Sequence, residues 1–564
     1  MTAGRGRLRE AAFVAVGSML AAVAFTWPLA LHVQTRAHDR QDALFQAWTL
    51  DWVQYAVTHG KSLYDANIFA PQKTTLAFSD TLLGIAIPTL PLRWLGTSPI
   101  GVLNVSLILG FATSAAAGYL FVRLATGSRV AAAVGGAVYA FGPFGAVATS
   151  HLHVAVRPGV PLAAAAAWWL AERSLGRRSL VPPAVALVAI IGWQGTVSFY
   201  PATYAVCAAF VVFVARLRDR RGVVAAAFSI ATCGGVLALL AIPNLEIAAR
   251  DPSYQFGLDA FGALGVNFFR TYSGNVIWGS ILGGGGDSGL RGGMFPGAIA
   301  LALGAIGVVI AWRSAGRVRT IVITAVALTL VGAVMAIGTA STGIRQFAPY
   351  RLLYEIGPPF SALRATARAW MIGLVGLSLL AGLGAAAVIG SLREWLSSRS
   401  PRVVLSSTVM AVLLFIVLIL AEGFQPWPSQ SKIRVSAVDA ELARRPDDGG
   451  VVYLPMNATD EIDLSFQLQP ANLYGATEHH RSILNGYSGF VPRSYLRISR
   501  QLAELPEAEA VAELRRLGVR YVVVHPDVTG GRWAALRFPE SAQPLRFLGR
   551  FGPDLLYAVT PIRA

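Results

Sequence analysis

The segment HDRQDALFQAW, residues 38–48, follows the first long apolar stretch of the chain, residues 11–31. It places two carboxylates, Asp39 and Asp42, where a membrane-spanning helix would meet water. A carboxylate beside lipid is costly unless it is hydrated or paired. The segment therefore predicts a functional site at a membrane–water interface, provided that the rest of the chain is embedded in a membrane.

The composition indicates a membrane protein. Hydrophobic residues make up 54% of the 564 positions, charged residues 14%, and the mean hydropathy is +0.55. A soluble protein of this length cannot bury so much apolar surface, so we expect a polytopic α-helical membrane protein. The same values exclude disordered and fibrous classes. The two cysteines, Cys207 and Cys233, lie in apolar stretches and form neither a disulfide framework nor a CxxC metal site.

The apolar stretches predict about eleven transmembrane helices, the first of them an anchor rather than a cleaved signal peptide. Residues 82–96 are apolar too, but they contain Pro88, Pro91 and Arg93 and fall short of the roughly 20 residues that a span requires. We expect this segment to be an interfacial or re-entrant helix. The predicted spans lie near 11–31, 99–122, 130–149, 155–171, 180–196, 197–215, 222–243, 294–312, 320–340, 369–390 and 403–421.

Arginine clusters predict the orientation of the chain. With eleven crossings all of these clusters fall on one side, which the positive-inside rule makes cytoplasmic. The net charge of +17 therefore reflects membrane topology rather than nucleic-acid binding. We expect a bacterial inner (plasma) membrane protein with a cytoplasmic N-terminus and external loops at 32–98, 244–293 and 341–368. The clusters occupy 5–9, 123–129, 173–178, 216–221, 313–319 and 393–402.

Two domains are predicted, a membrane-embedded part at 1–422 and an extracytoplasmic soluble tail at 423–564. In the tail, VVYLP (451–455) and VRYVVVHP (519–526) are typical of buried strands. Residues 494–517 alternate apolar and charged residues at helical spacing. The tail is therefore expected to form a small α/β or α+β domain.

The first external loop holds most of the candidate site residues. If a helix begins near Arg40, Asp42 and Gln46 share one of its faces, and Asp39 lies at its N-cap. Helix capping explains Asp39 equally well, and a hydrated surface acid is the alternative interpretation of Asp42. Further along, SLYDANIFAPQKTTLAFSD (62–80) offers side chains suited to a polar ligand, although turn formation also explains two of them, Asn67 and Asp80. The candidates in this stretch are Asp65, Asn67, Lys73 and Asp80.

Cationic residues gather in two further external segments. HLHVAVRP (151–158) contains His151, His153 and Arg157, and two histidines alone do not make a zinc site. Residues 348–370 contain Arg364 and Arg368, predicted to lie one helical turn apart. External arginines oppose the positive-inside bias, and a lipid-linked phosphate is a natural partner for guanidinium groups. Salt bridges and ordinary interfacial polarity are the alternatives for these residues.

The chain resembles integral-membrane glycosyltransferases of the GT-C superfamily, in particular an uncharacterised bacterial subgroup. The resemblance rests on DALFQAW, LYDANIFAP, FSDTLLG and LRATAR in the membrane part, and on NGYSGF and GVRYVVVH in the tail. It implies an acid of the first external loop as catalytic base, here Asp42 or Asp39. The chain lacks the tandem Asp-Glu of protein O-mannosyltransferases, so the acceptor and any divalent metal stay open.

The implied reaction moves a sugar from a polyprenyl-phosphate donor to a glycan, lipid or protein acceptor of the cell envelope, with inversion. Arg364, Arg368, Arg157 and Lys73 are then candidates for binding the donor phosphate. Candidates for binding substrate are Gln46, His151, His153, Asp80, Asn67 and Asp65. No cofactor follows from the residues themselves.

Three other functions compete with this interpretation. A transporter or lipid flippase would require charges within spans and inverted repeats, and the sequence has neither. A non-catalytic assembly or lipid- and glycan-handling protein would keep the topology and tolerate Asp42→Asn. A polysaccharide ligase would place its chemistry in the loops at 244–293 or 341–368.

Overall fold

The computed structural model describes residues 2–251, 254, 262–263, 265–284, 293–312, 314–340, 343–426, 432–456, 464–526 and 545–560. Arg313 of the fifth arginine cluster and parts of the predicted loops at 244–293 and 341–368 lie outside the described residues.

Helices make up most of the described chain. In chain order they are α1 (Thr2–Phe25), α2 (Asp42–His59), α3 (Leu83–Ala86), α4 (Leu90–Trp94), α5 (Pro99–Thr126), α6 (Arg129–Phe141), α7 (Pro143–Val147), α8 (Leu152–Ala155), α9 (Gly159–Leu175), α10 (Val181–Val197), α11 (Phe199–Arg216), α12 (Arg220–Leu240), α13 (Ile242–Arg250), α14 (Gly279–Leu282), α15 (Ala298–Trp312), α16 (Arg317–Ile337), α17 (Tyr350–Ile356), α18 (Trp370–Trp395), α19 (Pro401–Gly423), α20 (Ala437–Arg444), α21 (Leu464–His479), α22 (Arg493–Leu502) and α23 (Ala508–Arg516).

Eight helical segments of the described residues are long and apolar enough to cross a membrane. Each coincides with a predicted span, so the protein is a multi-pass membrane protein, as expected. The other three predicted spans coincide with shorter apolar helices, Arg129–Phe141, Val181–Val197 and Ala298–Ile310, and the total of eleven crossings stays a prediction. The eight are Arg5–Phe25, Pro99–Thr126, Leu152–Leu175, Phe199–Arg216, Arg220–Leu240, Arg317–Ile337, Thr366–Trp395 and Pro401–Gly423.

The segment at 82–96 does not form a span. It divides into the two short helices α3 and α4, of four and five residues. Pro91 lies in the first turn of α4, where its missing N–H costs no hydrogen bond. Neither helix approaches the length needed to cross a bilayer, so the expectation of a short, non-spanning segment is confirmed.

The chain forms two compact units. The first, which we call the membrane unit, comprises Met1–His32, Val105–Leu240 and Phe256–Ser429. The second, the loop–tail unit, comprises Val33–Asn104, Ala241–Gln255 and Gln430–Ala564. The loop–tail unit thus contains the first external segment together with the tail. The predicted division at residues 422 and 423 stays a prediction.

In the membrane unit, α18 packs against α6, α15 and α16. Glycines allow the helices to approach closely, as is common where helices meet within a membrane. A Cβ added at Gly332 of α16 would clash with the backbone nitrogen of Gly373 in α18. A Cβ added at Gly384 of α18 would lie against the Leu303 carbonyl of α15. The core of this unit therefore depends on small residues at its helix crossings.

In the loop–tail unit, a mixed four-stranded sheet has the order β1-β2-β4-β3. The edge strand β1 pairs parallel with β2, with Val451 opposite Tyr521, and β4 pairs antiparallel with both β2 and β3. The predicted strands at 451–455 and 519–526 are confirmed, and so is the helical character of 494–517, as α22 and α23. The strands are β1 (Gly450–Leu454), β2 (Val519–Val524), β3 (Leu545–Phe551) and β4 (Asp554–Val559).

The helix crossing at Gly332 leads to a first prediction. Gly332→Ala should destabilise the protein by roughly 1–3 kcal/mol, because the new methyl group meets backbone that cannot rotate away. Gly390→Ala is the matched control, since nothing lies within 4 Å of the position where its Cβ would be. Thermal unfolding in detergent micelles measures both variants. Equal midpoints for the two would contradict the close crossing.

Candidate active site

Asp42 is the first residue of α2, where the partial positive charge of a helix N-terminus favours a carboxylate. Its side chain is half-buried. The Tyr487 hydroxyl, which belongs to the tail, donates a hydrogen bond of 2.8 Å to Asp42 Oδ1. One of the two carboxylates predicted as catalytic base is therefore in direct contact with a side chain that is distant in sequence.

Asp39 does not occupy the expected N-cap position. The N-cap of α2 is Gln41, because the helix begins at Asp42 rather than near Arg40. Asp39 Oδ1 instead accepts hydrogen bonds from the backbone N–H groups of Gln41, at 2.7 Å, and Ala43, at 3.2 Å. The carboxylate thus satisfies amides at the start of the helix from a position further upstream, which favours a capping role for Asp39.

Gln46 shares the face of Asp42, one helical turn along α2. Its Nε2 donates to the Asp42 backbone carbonyl at 3.0 Å. This contact places the Gln46 amide beside the candidate base, as expected from the spacing of four residues.

Asn67 joins the first external segment to the tail. Its Oδ1 accepts a hydrogen bond from Trp48 Nε1 at 3.0 Å, and its Nδ2 donates to the Arg481 carbonyl at 3.1 Å. The residue is only 6% exposed. Both ends of the amide are therefore used within the protein, as in a structural residue rather than a ligand-binding one.

Asp65 and Lys73 form an ion pair, with Nζ 3.6 Å from Oδ2, and the Lys73 side chain is 71% exposed. The Thr74 N–H donates to Asp65 Oδ1 at 2.9 Å. This hydrogen bond, with a smaller effect of the nearby Lys73 ammonium, lowers the pKa of Asp65. Asp80 lies half-buried between the 3-10 helix Thr75–Phe78 and α3.

The sequence reasoning missed a second acid, Asp51. Its side chain is 2% exposed and contacts Arg93 Nη2 and His480 Nε2, each at 2.8 Å. The His480 ring stacks on Tyr55, with ring centroids 3.8 Å apart. An acid amid the apolar residues of α2 signals a buried partner, because an unpaired buried charge is costly. The identity of the partners is not encoded locally, since they lie far along the chain.

The Asp51 cluster leads to a second prediction. Asp51→Asn should lower the free energy of unfolding by about 3 kcal/mol, because the Arg93 guanidinium loses its carboxylate partner and the contact with His480 weakens. Lys73→Ala is the control: it breaks an exposed ion pair and should cost less than about 1 kcal/mol. Unfolding in detergent micelles distinguishes them, and comparable losses would show that Asp51 is no more important than a surface acid.

In the membrane unit, the structure brings together four of the predicted cationic residues. His153 lies near His151, Arg364 and Arg368. The rings of the two histidines lie 5.5 Å apart, and the Arg368 guanidinium carbon lies 4.4 Å from the centre of the Tyr200 ring. We call His151, His153, Arg364 and Arg368 the cationic cluster. Such a group of donors suits an anionic ligand.

The expected helical turn between Arg364 and Arg368 is not formed. Residues Thr366–Ala369 form a 3-10 helix, and α18 begins only at Trp370. Arg364 precedes this turn, so the two guanidinium groups are carried by irregular backbone rather than by one α-helical face.

Arg157 is fully buried and has partners of its own, apart from the cationic cluster. It is 0% exposed, and its Nη2 donates to the Tyr139 carbonyl at 3.2 Å. The guanidinium carbon also lies 5.5 Å from the Tyr139 ring centre and 5.3 Å from that of Phe144. These contacts favour a structural role for Arg157. Among the described residues, His, Cys, Asp and Glu form no group of three or more that would hold a metal ion.

Comparisons with known proteins identify the fold. No protein-family model matches the chain, and no curated protein matches it in sequence. The structure is similar to the arabinofuranosyltransferase AftD from Mycobacteria, with a TM-score of 0.57 and 15% identity over 98% of this chain. The chain spans 40% of the length of AftD.

A second similar structure is ArnT from Cupriavidus metallidurans bound to undecaprenyl phosphate. Its TM-score is 0.50 and its identity 11%, with 98% of each chain covered. The fold of this chain is therefore like that of these two transferases, and the fold expected from the resemblance to the GT-C superfamily is confirmed.

Proposed function

We propose that this protein is a membrane glycosyltransferase that moves a sugar from a polyprenyl-phosphate donor to an acceptor of the cell envelope. The observation that carries the proposal is the likeness to ArnT over 98% of both chains, in a structure that contains undecaprenyl phosphate. The proposed location is the bacterial inner membrane, with the N-terminus cytoplasmic and the tail extracytoplasmic. Nucleotide sugars are scarce on that side, which favours a lipid-linked donor.

Asp42 is the proposed catalytic base, with Asp39 as the second choice because its carboxylate already caps α2. As the acceptor oxygen bonds to the anomeric carbon, its proton passes to the Asp42 carboxylate. The bond from the anomeric carbon to the phosphate oxygen breaks, and its electron pair leaves with the phosphate. A single displacement of this kind inverts the anomeric configuration.

The cationic cluster is the proposed binding site for the donor phosphate. Guanidinium groups match phosphate in charge and in bidentate geometry. They also stabilise the negative charge that develops on the departing phosphate. Arg157 and Lys73 are weaker candidates, because one is occupied with a backbone carbonyl and the other forms an exposed ion pair.

The role of the base is tested by transfer assays with purified protein and radiolabelled polyprenyl-phosphate sugars. Asp42→Asn should lower kcat by roughly 10²–10⁴-fold, because no carboxylate then takes the proton from the hydroxyl of the sugar acceptor. Asp39→Asn is the matched control and should retain most activity and stability if its carboxylate only caps the helix, because asparagine can accept the same backbone hydrogen bonds. Full transfer by Asp42→Asn would exclude Asp42 as base.

The phosphate site is tested by Arg368→Gln. The variant should raise KM for the donor at least tenfold, because a charged hydrogen bond to phosphate contributes about 1.5–3 kcal/mol. Arg351→Gln is the control, since Arg351 lies in the same predicted external loop and pairs with Glu355 at 2.7 Å. Equal donor KM values for the two variants would argue against a phosphate site at Arg368.

A further inference from the structure

The tail loop NGYSGF, residues 485–490, is fixed at its first residue by buried hydrogen bonds. Asn485 is fully buried, and its Oδ1 accepts from the Tyr453 N–H of β1 at 2.7 Å. Its Nδ2 donates to the Tyr453 carbonyl at 2.8 Å and to Gln469 Oε1 at 2.9 Å. The Asn485 carbonyl accepts from the Phe69 N–H at 2.9 Å. The loop therefore leaves the sheet in one defined direction.

Packing fixes the remainder of the loop. A Cβ added at Gly486 would clash with the Phe69 ring, so the backbone passes directly against this aromatic side chain. At the far end, Phe490 packs edge-on against Phe78 and Tyr254, with ring centroids 5.1 and 4.9 Å apart. Tyr487 lies between these two fixed points and has little freedom to move.

The Tyr487 side chain is held on both sides. Its ring centroid lies 5.5 Å from that of Phe45 on α2 and 5.0 Å from that of Phe466 on α21. This aromatic packing aims the hydroxyl at Asp42 Oδ1, 2.8 Å away. A phenylalanine would pack between the same rings, so what the tyrosine adds is its hydroxyl and the hydrogen bond to the carboxylate.

We infer that Tyr487 is a positioning residue for Asp42, and that the tail thereby becomes part of the catalytic machinery. The inference rests on the proposed function. A general base is effective only when its carboxylate is held within about 0.5 Å of its productive position. A hydrogen bond to an ionised acceptor is short and directional, and it restricts rotation of the carboxylate about χ2. Tyr487 orients the base without touching the substrate.

The test compares Tyr487→Phe with the wild type in the transfer assay. The variant keeps the ring and removes only the hydroxyl, so kcat should fall about 10-fold, a part of the roughly 10²–10⁴-fold contribution of a positioned base. KM for the donor should not change. Tyr521→Phe is the matched control, because Tyr521 also lies in the tail and donates to a carboxylate, that of Asp447. It should retain the wild-type kcat.

The outcomes separate the inference from the proposed function. If Asp42→Asn is inactive and Tyr487→Phe has the wild-type kcat, the inference is overturned and the proposed function stands. If the wild type transfers no sugar, the proposed function fails. In that case a double-mutant cycle of Asp42→Asn and Tyr487→Phe on the unfolding midpoint decides whether the two side chains are coupled. Additive shifts overturn the contact as well, whereas non-additive shifts show that the contact exists although its catalytic role falls with the proposed function.

Discussion

The loop–tail unit depends on the side-chain amide of Asn67. Its two ends bind the Trp48 indole of α2 and the Arg481 carbonyl of the tail, in a site that water hardly reaches. Since a buried amide left without partners is costly, this arrangement specifies one alignment of the first external segment with the tail. The Ile483 N–H, bonded to the Asn67 carbonyl at 2.8 Å, adds a backbone link beside it. The contacts that Asp42 and Asp51 of α2 make with the tail depend on that alignment.

The two acids of α2 illustrate different uses of a carboxylate. Asp51 is buried, and it contacts Arg93 and His480 and so joins three parts of the chain. Asp42 lies at the N-terminal end of the same helix, half-buried, with a neutral tyrosine as partner. Asp51 is paired with Arg93, as a buried carboxylate requires, whereas Asp42 accepts a hydrogen bond from a phenol at the half-buried start of the helix.

The sequence predicted what depends on local pattern. Apolar stretches located the membrane helices, short continuous apolar runs located β1 and β2, and a carboxylate beside an apolar stretch drew attention to Asp42. Contacts of Asp42 with Tyr487, or of Asp51 with His480, join residues more than 400 positions apart and have no local signature. The α-helical turn predicted between Arg364 and Arg368 was also wrong, because a short 3-10 helix gives no distinct periodic signal in the sequence.

The discontinuity of the loop–tail unit has a consequence for biosynthesis. Residues 33–104 leave the ribosome long before residues 430–564, which complete the same unit. At roughly 5–20 residues per second, the interval is on the order of tens of seconds. During that interval the apolar face of α2 has no tail to cover it, although most of the membrane helices are already made. A nascent chain that stalled before the tail would carry most of its membrane helices and an unfinished loop–tail unit.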